Sequence, residues 1–207
     1  MIEHLHLPLI MLAALIAMAS PGPATLAIAG TSMSRGRVPG LALTGGILTG
    51  SLIWSTAAAF GLAALMLSHA WVFEVVRYAG GAYLAYLAVK SARAACSAEA
   101  LNTRTMNGSL FALYRKGLAL HLTNPKVVLF FGSLYTMGVP HDATPAEFAL
   151  IIGAIFTQSV IVNGGYALLF SAPAVTRAYI RLRRWFEGMF AVAFGLASVK
   201  IVTTRLS

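Results

Sequence analysis

Apolar residues run from Leu7 to Ser34 without one charged side chain. Five further apolar segments follow, at about 40–67, 71–90, 111–138, 146–171 and 185–204. A helix needs about 20 such residues to cross a bilayer, so the pattern predicts six transmembrane helices. The third and sixth are the shortest, with uncharged cores running only from Tyr78 to Val89 and from Gly188 to Val199. Each requires Arg77 or Lys200 at its flank to snorkel toward headgroups.

Two of the six segments carry a break. Ser20-Pro21-Gly22-Pro23 interrupts the first and Asn124-Pro125-Lys126 the fourth. Proline lacks a backbone donor and its ring clashes with the carbonyl one turn back, so both segments are expected as broken helices. From each break the chain runs on alike, with Pro23, Gly30, Thr31 and Gly36 echoed by Pro125, Gly132, Ser133 and Gly138 at identical spacing. The echo extends to Gly46, Thr49 and Ser51 against Gly153, Thr157 and Ser159, with one residue of slip, and to Arg77, Gly81 and Tyr83 against Arg184, Gly188 and Phe190.

Three spans per half is an odd number, so similar halves must point opposite ways. The expectation is a single all-α transmembrane domain over 1–207, built as two inverted three-helix repeats at about 1–93 and 109–207. The first helix of each is broken at proline, and a cytoplasmic linker at about 94–108 joins them.

Composition agrees: 58% of the 207 residues are hydrophobic and 10% charged, with mean hydropathy +0.79, outside the range of soluble domains. The formal charge of +9 would suggest nucleic acid in a soluble chain. Here the basic residues sit between apolar segments, so no nucleic-acid partner is expected. Arg35 and Arg37 mark the first connection, Lys90, Arg93, Arg104, Arg115 and Lys116 the third, and Arg177, Arg181, Arg183 and Arg184 the fifth. The N-terminus and the other two connections carry Glu3, Glu74, Asp142 and Glu147, with Arg77 at a span entry. The alternation predicts a multi-pass membrane protein with the basic connections cytoplasmic and both termini outside. Glu3, His4 and His6 stand where a signal peptide is basic, so the first segment is expected to stay. One cysteine, Cys96, excludes a disulfide framework and a cysteine metal site, and no cofactor is expected.

At each break the second half-helix begins with unpaired N–H groups, the positive end of its dipole. With Pro23 at the first helical position, the amides of Ala24, Thr25 and Leu26 are candidates to meet a carboxylate, and Asn124 can cap the second half-helix. The bland alternative is a packing kink satisfied by neighbouring helices. Lys126, a charge deep in a span, either binds a substrate anion or snorkels. His121 is a candidate proton carrier or a packing histidine. Thr25, Thr49, Ser51, Thr157, Gln158 and Asn163 are candidates to line a polar path. Tyr83 and Tyr86 are interfacial or cavity aromatics, and Gly30, Gly46, Gly50, Gly81 and Gly132 candidate packing or hinge positions. No carboxylate is expected near mid-span, which disfavours a metal-cation carrier. An intramembrane enzyme would need Ser20 or Ser133 within hydrogen-bond reach of Lys126 or His121. A non-transporting membrane subunit would show a closed, dry core at the breaks.

Ser20-Pro21-Gly22-Pro23, the glycines from Gly36 to Gly50, Gly81-Ala82-Tyr83-Leu84 and Asn124-Pro125-Lys126 together resemble the LysE/RhtB family of amino-acid exporters. The likeness covers nearly the whole chain in order. It implies a six-helix inverted repeat in the inner membrane and efflux of an amino acid or related metabolite driven by the proton gradient. The implied partners are that small molecule and lipid, with homo-oligomerisation open. With the site expected between the two broken helices, substrate binding is expected at Pro21, Gly22, Pro23, Thr25, Ser51, Asn124, Pro125 and Lys126. Members often carry an acid or Asn where this chain has Ala24, and an acid where it has Ser51. Many have a Leu-Pro segment after Asn-Pro-Lys, where Ser133-Leu134-Tyr135-Thr136 stands here. These departures point to a neutral solute rather than lysine or arginine.

Overall fold

The computed structural model describes residues 7–20, 22–68, 70–97, 103–138 and 143–203. Among them the regular elements are helices: α1 (Leu7–Ala19), α2 (Pro23–Arg35), α3 (Arg37–Ser68), α4 (Ala70–Cys96), α5 (Leu110–Leu122), α6 (Pro125–Gly138), α7 (Pro145–Leu169) and α8 (Pro173–Thr203). Both expected breaks are present, between α1 and α2 and between α5 and α6. By length and composition α3 over Arg37–Gly61 and α7 over Pro145–Leu169 suffice to cross a membrane. The α1–α2 pair, bent by 51°, is a third if taken as one span.

Local chemistry sets the helix ends. Proline opens α2 at its first position, where its missing N–H costs nothing, and Gly22 precedes it in extended conformation. Gly36 closes α2 with φ 86, a left-handed value that favours glycine, and donates its N–H to the Ser32 carbonyl at 3.0 Å. Ser109 caps α5 by accepting from the Ala112 amide at 3.3 Å. Thr144 and Glu147 form a reciprocal capping box at the start of α7.

Three boundaries differ from expectation. A single residue, Gly36, separates α2 from α3, because a left-handed glycine turns the chain without a loop. The basic stretch Arg177–Arg184 is not a loop but the first part of α8, since nothing after Pro173 breaks the helix. The third is at the linker expected from about 94: α4 runs on to Cys96, and residues 105 and 106 bond to α2. There Thr105 Oγ1 donates to the Gly30 carbonyl at 3.3 Å and the Met106 amide donates to Thr31 Oγ1 at 3.1 Å. Arg35 Nη1 donates to the carbonyls of Met106 at 3.3 Å and Gly108 at 3.0 Å.

The core falls in two clusters. One gathers Ile10, Leu84, Phe131, Tyr135, Ile155 and Phe194 from α1, α4, α6, α7 and α8. The other holds Ala27, Ile28, Leu43, Ile47, Leu113 and Ala167 from α2, α3, α5 and α7. Glycine lets α3 and α5 approach backbone to backbone. A Cβ on Gly46 would strike the Tyr114 carbonyl oxygen, and one on Gly117 would strike that of Leu43. Tyr114 then reaches across to donate to Thr49 Oγ1 at 2.9 Å.

Candidate functional site

The two breaks meet. Between them lies a cavity of about 60 Å³ lined by Gly22, Ala24 and Thr25 from the first break and Asn124, Lys126 and Val127 from the second. Ser51 of α3, His121 of α5, and Ser159 and Asn163 of α7 add polar groups, while Ala17, Met18, Phe130 and Phe131 supply apolar wall. Ser51, His121, Asn124, Ser159, Asn163 and Thr25 are all buried.

Each break is held by side chains from elsewhere. Asn124 Oδ1 accepts the Lys126 amide at 3.1 Å, the cap expected of it. Lys126 Nζ donates to the carbonyl of Ser20 at 3.2 Å and to its hydroxyl, so the cation seals the carbonyl end of α1. Tyr166 of α7 donates to the Ala19 carbonyl at 2.8 Å, and Trp54 of α3 donates through Nε1 to that of Leu122 at 3.3 Å. Thus α3 and α7 each lend an aromatic donor to the end of a broken helix. On the carbonyl side of the breaks, neighbouring side chains satisfy the freed groups. On the amide side, Leu26 N–H donates to the Gly22 carbonyl at 2.9 Å, so it is not among the free amides.

Of the anticipated site residues, Gly22, Thr25, Ser51, His121, Asn124, Lys126 and Asn163 line the one cavity. Pro23 is exposed and off its wall. Pro125 opens α6, and Pro21 lies outside the described residues. Thr49 bonds to the Gly45 carbonyl and to Tyr114, Thr157 is exposed, and Gln158 Nε2 donates to the Met11 carbonyl at 3.0 Å. None of these three is on the cavity wall. Tyr83 and Tyr86 lean on each other with ring centroids 5.8 Å apart, also away from it.

Gly30 takes the backbone of Arg104, whose carbonyl carbon would lie 2.8 Å from an added Cβ, and Gly50 takes His121, whose Cβ would lie at 3.0 Å. Gly81 contributes its carbonyl, which accepts from Ser198 at 2.8 Å. Gly132 lies within α6, half-buried.

Glu187 bears on the expectation of no carboxylate near mid-span, because it stands midway along α8. Because α8 starts at Pro173, Glu187 stands inside the helix rather than at its mouth, and it is only 5% exposed. The Ser91 hydroxyl hydrogen-bonds to it, and Arg183, Lys126, Lys90 and Tyr179 are its charged or titratable neighbours. Its place close after Arg183 and Arg184, at the start of the expected sixth segment, made it read as a residue of the helix mouth. Ser159 was visible only as the echo of Ser51.

Fold and site together define a helical membrane protein organised around one polar cavity where two helix breaks converge. Residues 15–205 match the LysE type translocator family, and the chain belongs to it. The threonine efflux protein of Escherichia coli K12 is 30% identical over 198 residues, covering 92% of this chain and 94% of its own. That of Salmonella typhi is 27% identical over the same lengths. The uncharacterized membrane protein PA4757 of Pseudomonas aeruginosa is 30% identical over 204 residues, covering 90% of each chain. No solved structure matches the chain. Ser20 and Lys126 do make the contact an intramembrane enzyme would need, but family membership makes the protein a translocator and not an enzyme. The contact is accordingly read as a clasp between half-helices.

Proposed function

We propose that this protein exports a neutral amino acid, threonine first among the candidates, across the bacterial inner membrane by alternating access, driven by the proton gradient. One observation carries the reading. Aligning Pro23 with Pro125 pairs Gly22 with Asn124, Ala24 with Lys126 and Thr25 with Val127, and all six line the same cavity. Ser51 and its echo Ser159 line it too. Two oppositely directed halves would place corresponding positions around a shared central site in this way. The packing supports the same plan, since α3 lies on α5 and α6 while α7 lies on α1 and α2, and α4 pairs with α8. In this reading the paired helices α1–α2 and α5–α6, together with α3, α4, α7 and α8, are the six spans.

The substrate's carboxylate goes to Lys126 and the amides at the start of α2, and its amino group to the oxygens of Ser51, Thr25 and Asn163. A cavity of about 60 Å³ holds a few waters, so admitting a whole amino acid requires the half-helices to part. Breaking the Ser20–Lys126 clasp is the step that opens it. The relatives named for threonine efflux and the neutral lining at Ala24 and Ser51 together favour threonine. Among the described residues, Glu187 is the buried carboxylate available to carry the coupling proton. The test is export by the purified chain in liposomes, scored over a panel of amino acids with and without an imposed pH gradient. Movement of threonine or another neutral amino acid is expected, and movement of none would overturn the reading.

A further inference from the structure

We propose that His121 selects the substrate by pairing its imidazole with a hydroxyl on the solute's side chain, so that the carrier prefers hydroxylated amino acids to their apolar isosteres. This rests on the export reading above and deepens it. His121 is 8% exposed, lines the cavity, and neither Nδ1 nor Nε2 has a hydrogen-bond partner among the described residues. Buried polar groups in folded proteins are nearly always paired, so an imidazole with both nitrogens orphaned on a cavity wall calls for a ligand.

The ring is also held in place. Gly50 of α3 faces it so closely that an added Cβ would come within 3.0 Å of His121 Cβ and 3.2 Å of Cδ2. His121 is therefore packed closely against Gly50, where an added methyl would have to shift it by a few tenths of an ångström, on the last turn of α5 before the break.

The chemistry of the neighbours narrows the ligand. Asn163 spends its Nδ2 on the carbonyl and hydroxyl of Ser159, both at 3.1 Å, so its amide nitrogen is committed. Lys126 donates only, and is the group for a carboxylate. A neutral imidazole offers one donor and one acceptor, and a hydroxyl is the small group that can answer both. A solute with a methyl in that place would fill the space and leave the imidazole unpaired. Such a mismatch is worth on the order of ten- to a hundredfold in discrimination.

The experiment compares initial counterflow rates of radiolabelled L-threonine and L-valine, near-isosteres, in proteoliposomes of the full chain. Wild type should favour threonine by about tenfold or more. His121→Asn, whose amide keeps a donor and an acceptor, should retain most of that ratio. His121→Leu should bring it close to one, and His121→Phe, which keeps a ring without nitrogens, should do the same. A leucine or phenylalanine variant that still discriminates like wild type overturns the proposal, as does a wild type that moves both solutes equally. A wild type that moves no neutral amino acid overturns the export reading itself, an outcome distinct from a flat ratio.

Discussion

Lys126 of α6 donates to both oxygens of Ser20, the residue just past the end of the α1 half-helix, across a sequence separation of 106. Its ammonium also stands 5.9 Å from the Phe194 ring centroid, within cation–π range. One side chain therefore joins the two breaks, supplies the cation of the cavity wall, and touches α8.

Removing that ammonium should abolish the clasp and the carboxylate site together. Lys126→Met keeps most of the apolar stem but leaves the Ser20 carbonyl unpaired, and export should fall at least about tenfold, as for loss of a charged hydrogen bond. Lys126→Arg should not restore it, because a planar fork cannot replace a compact ammonium between one hydroxyl and one carbonyl. Initial export rate per unit of membrane-inserted protein is the measurement. Retention of more than half the wild-type rate by the methionine variant would contradict the assigned role.

The glycine seam between α3 and α5 makes a separate prediction about stability. Gly46→Ala and Gly117→Ala each drive a methyl into a carbonyl oxygen of the facing helix. Backbone cannot yield as a flexible side chain can, so each should cost about 1–3 kcal/mol or more. Gly61→Ala and Gly164→Ala, where nothing lies within 4 Å of the added atom, should be close to neutral. Thermal unfolding in detergent separates the two pairs, and equal melting shifts in all four would refute the seam.

Much of this was legible in the chain. Pro23 and Pro125 located both breaks because proline acts on its own backbone, independent of context. The echo between halves then brought Thr25, Ser51, Asn124 and Lys126 to one place. What could not be read was burial and direction. Thr49, Thr157 and Gln158 stand beside Ser51, Ser159 and Asn163 in polarity, yet helical rotation turns Thr49 and Gln158 to other partners and Thr157 to the outside. Gly153 echoes Gly46, but space around it is open while Gly46 is packed, so the repeat preserves spacing more faithfully than packing. The helical start of α8, and with it the mid-helix position of Glu187, was hidden because arginines at Arg177–Arg184 read as a loop by charge while remaining good helix formers.

The linker should behave as part of the bundle. Thr105 and Met106 bond to α2 through Gly30 and Thr31, and Gly30 has no Cβ to push the Arg104 backbone away. Trypsin should cut slowly after Arg104 in the wild type despite that residue's exposure, since cleavage requires local opening of the segment. Gly30→Ala should raise the cleavage rate several-fold, and Thr31→Val, which removes the acceptor of the Met106 amide, by less. Cleavage as fast in the wild type as in Gly30→Ala would mean the contact does not hold the linker down.

The native cysteine reports orientation without any engineered label. Cys96 ends α4 and is exposed. Its neighbour Ala95 accepts from Arg184 Nε at 2.9 Å, Arg35 bonds to the carbonyls of Met106 and Gly108, and Lys116 Nζ donates to that of Asn107 at 2.7 Å. These bonds draw the first, third and fifth connections to one end of the bundle, so a single thiol reads the side on which all three lie. Basic connections stay on the cytoplasmic face during insertion, and an impermeant maleimide should therefore spare Cys96 in spheroplasts and modify it in inside-out vesicles. Labelling in spheroplasts would reverse the orientation while leaving the clustering of the basic ends, and hence the site between the breaks, unchanged.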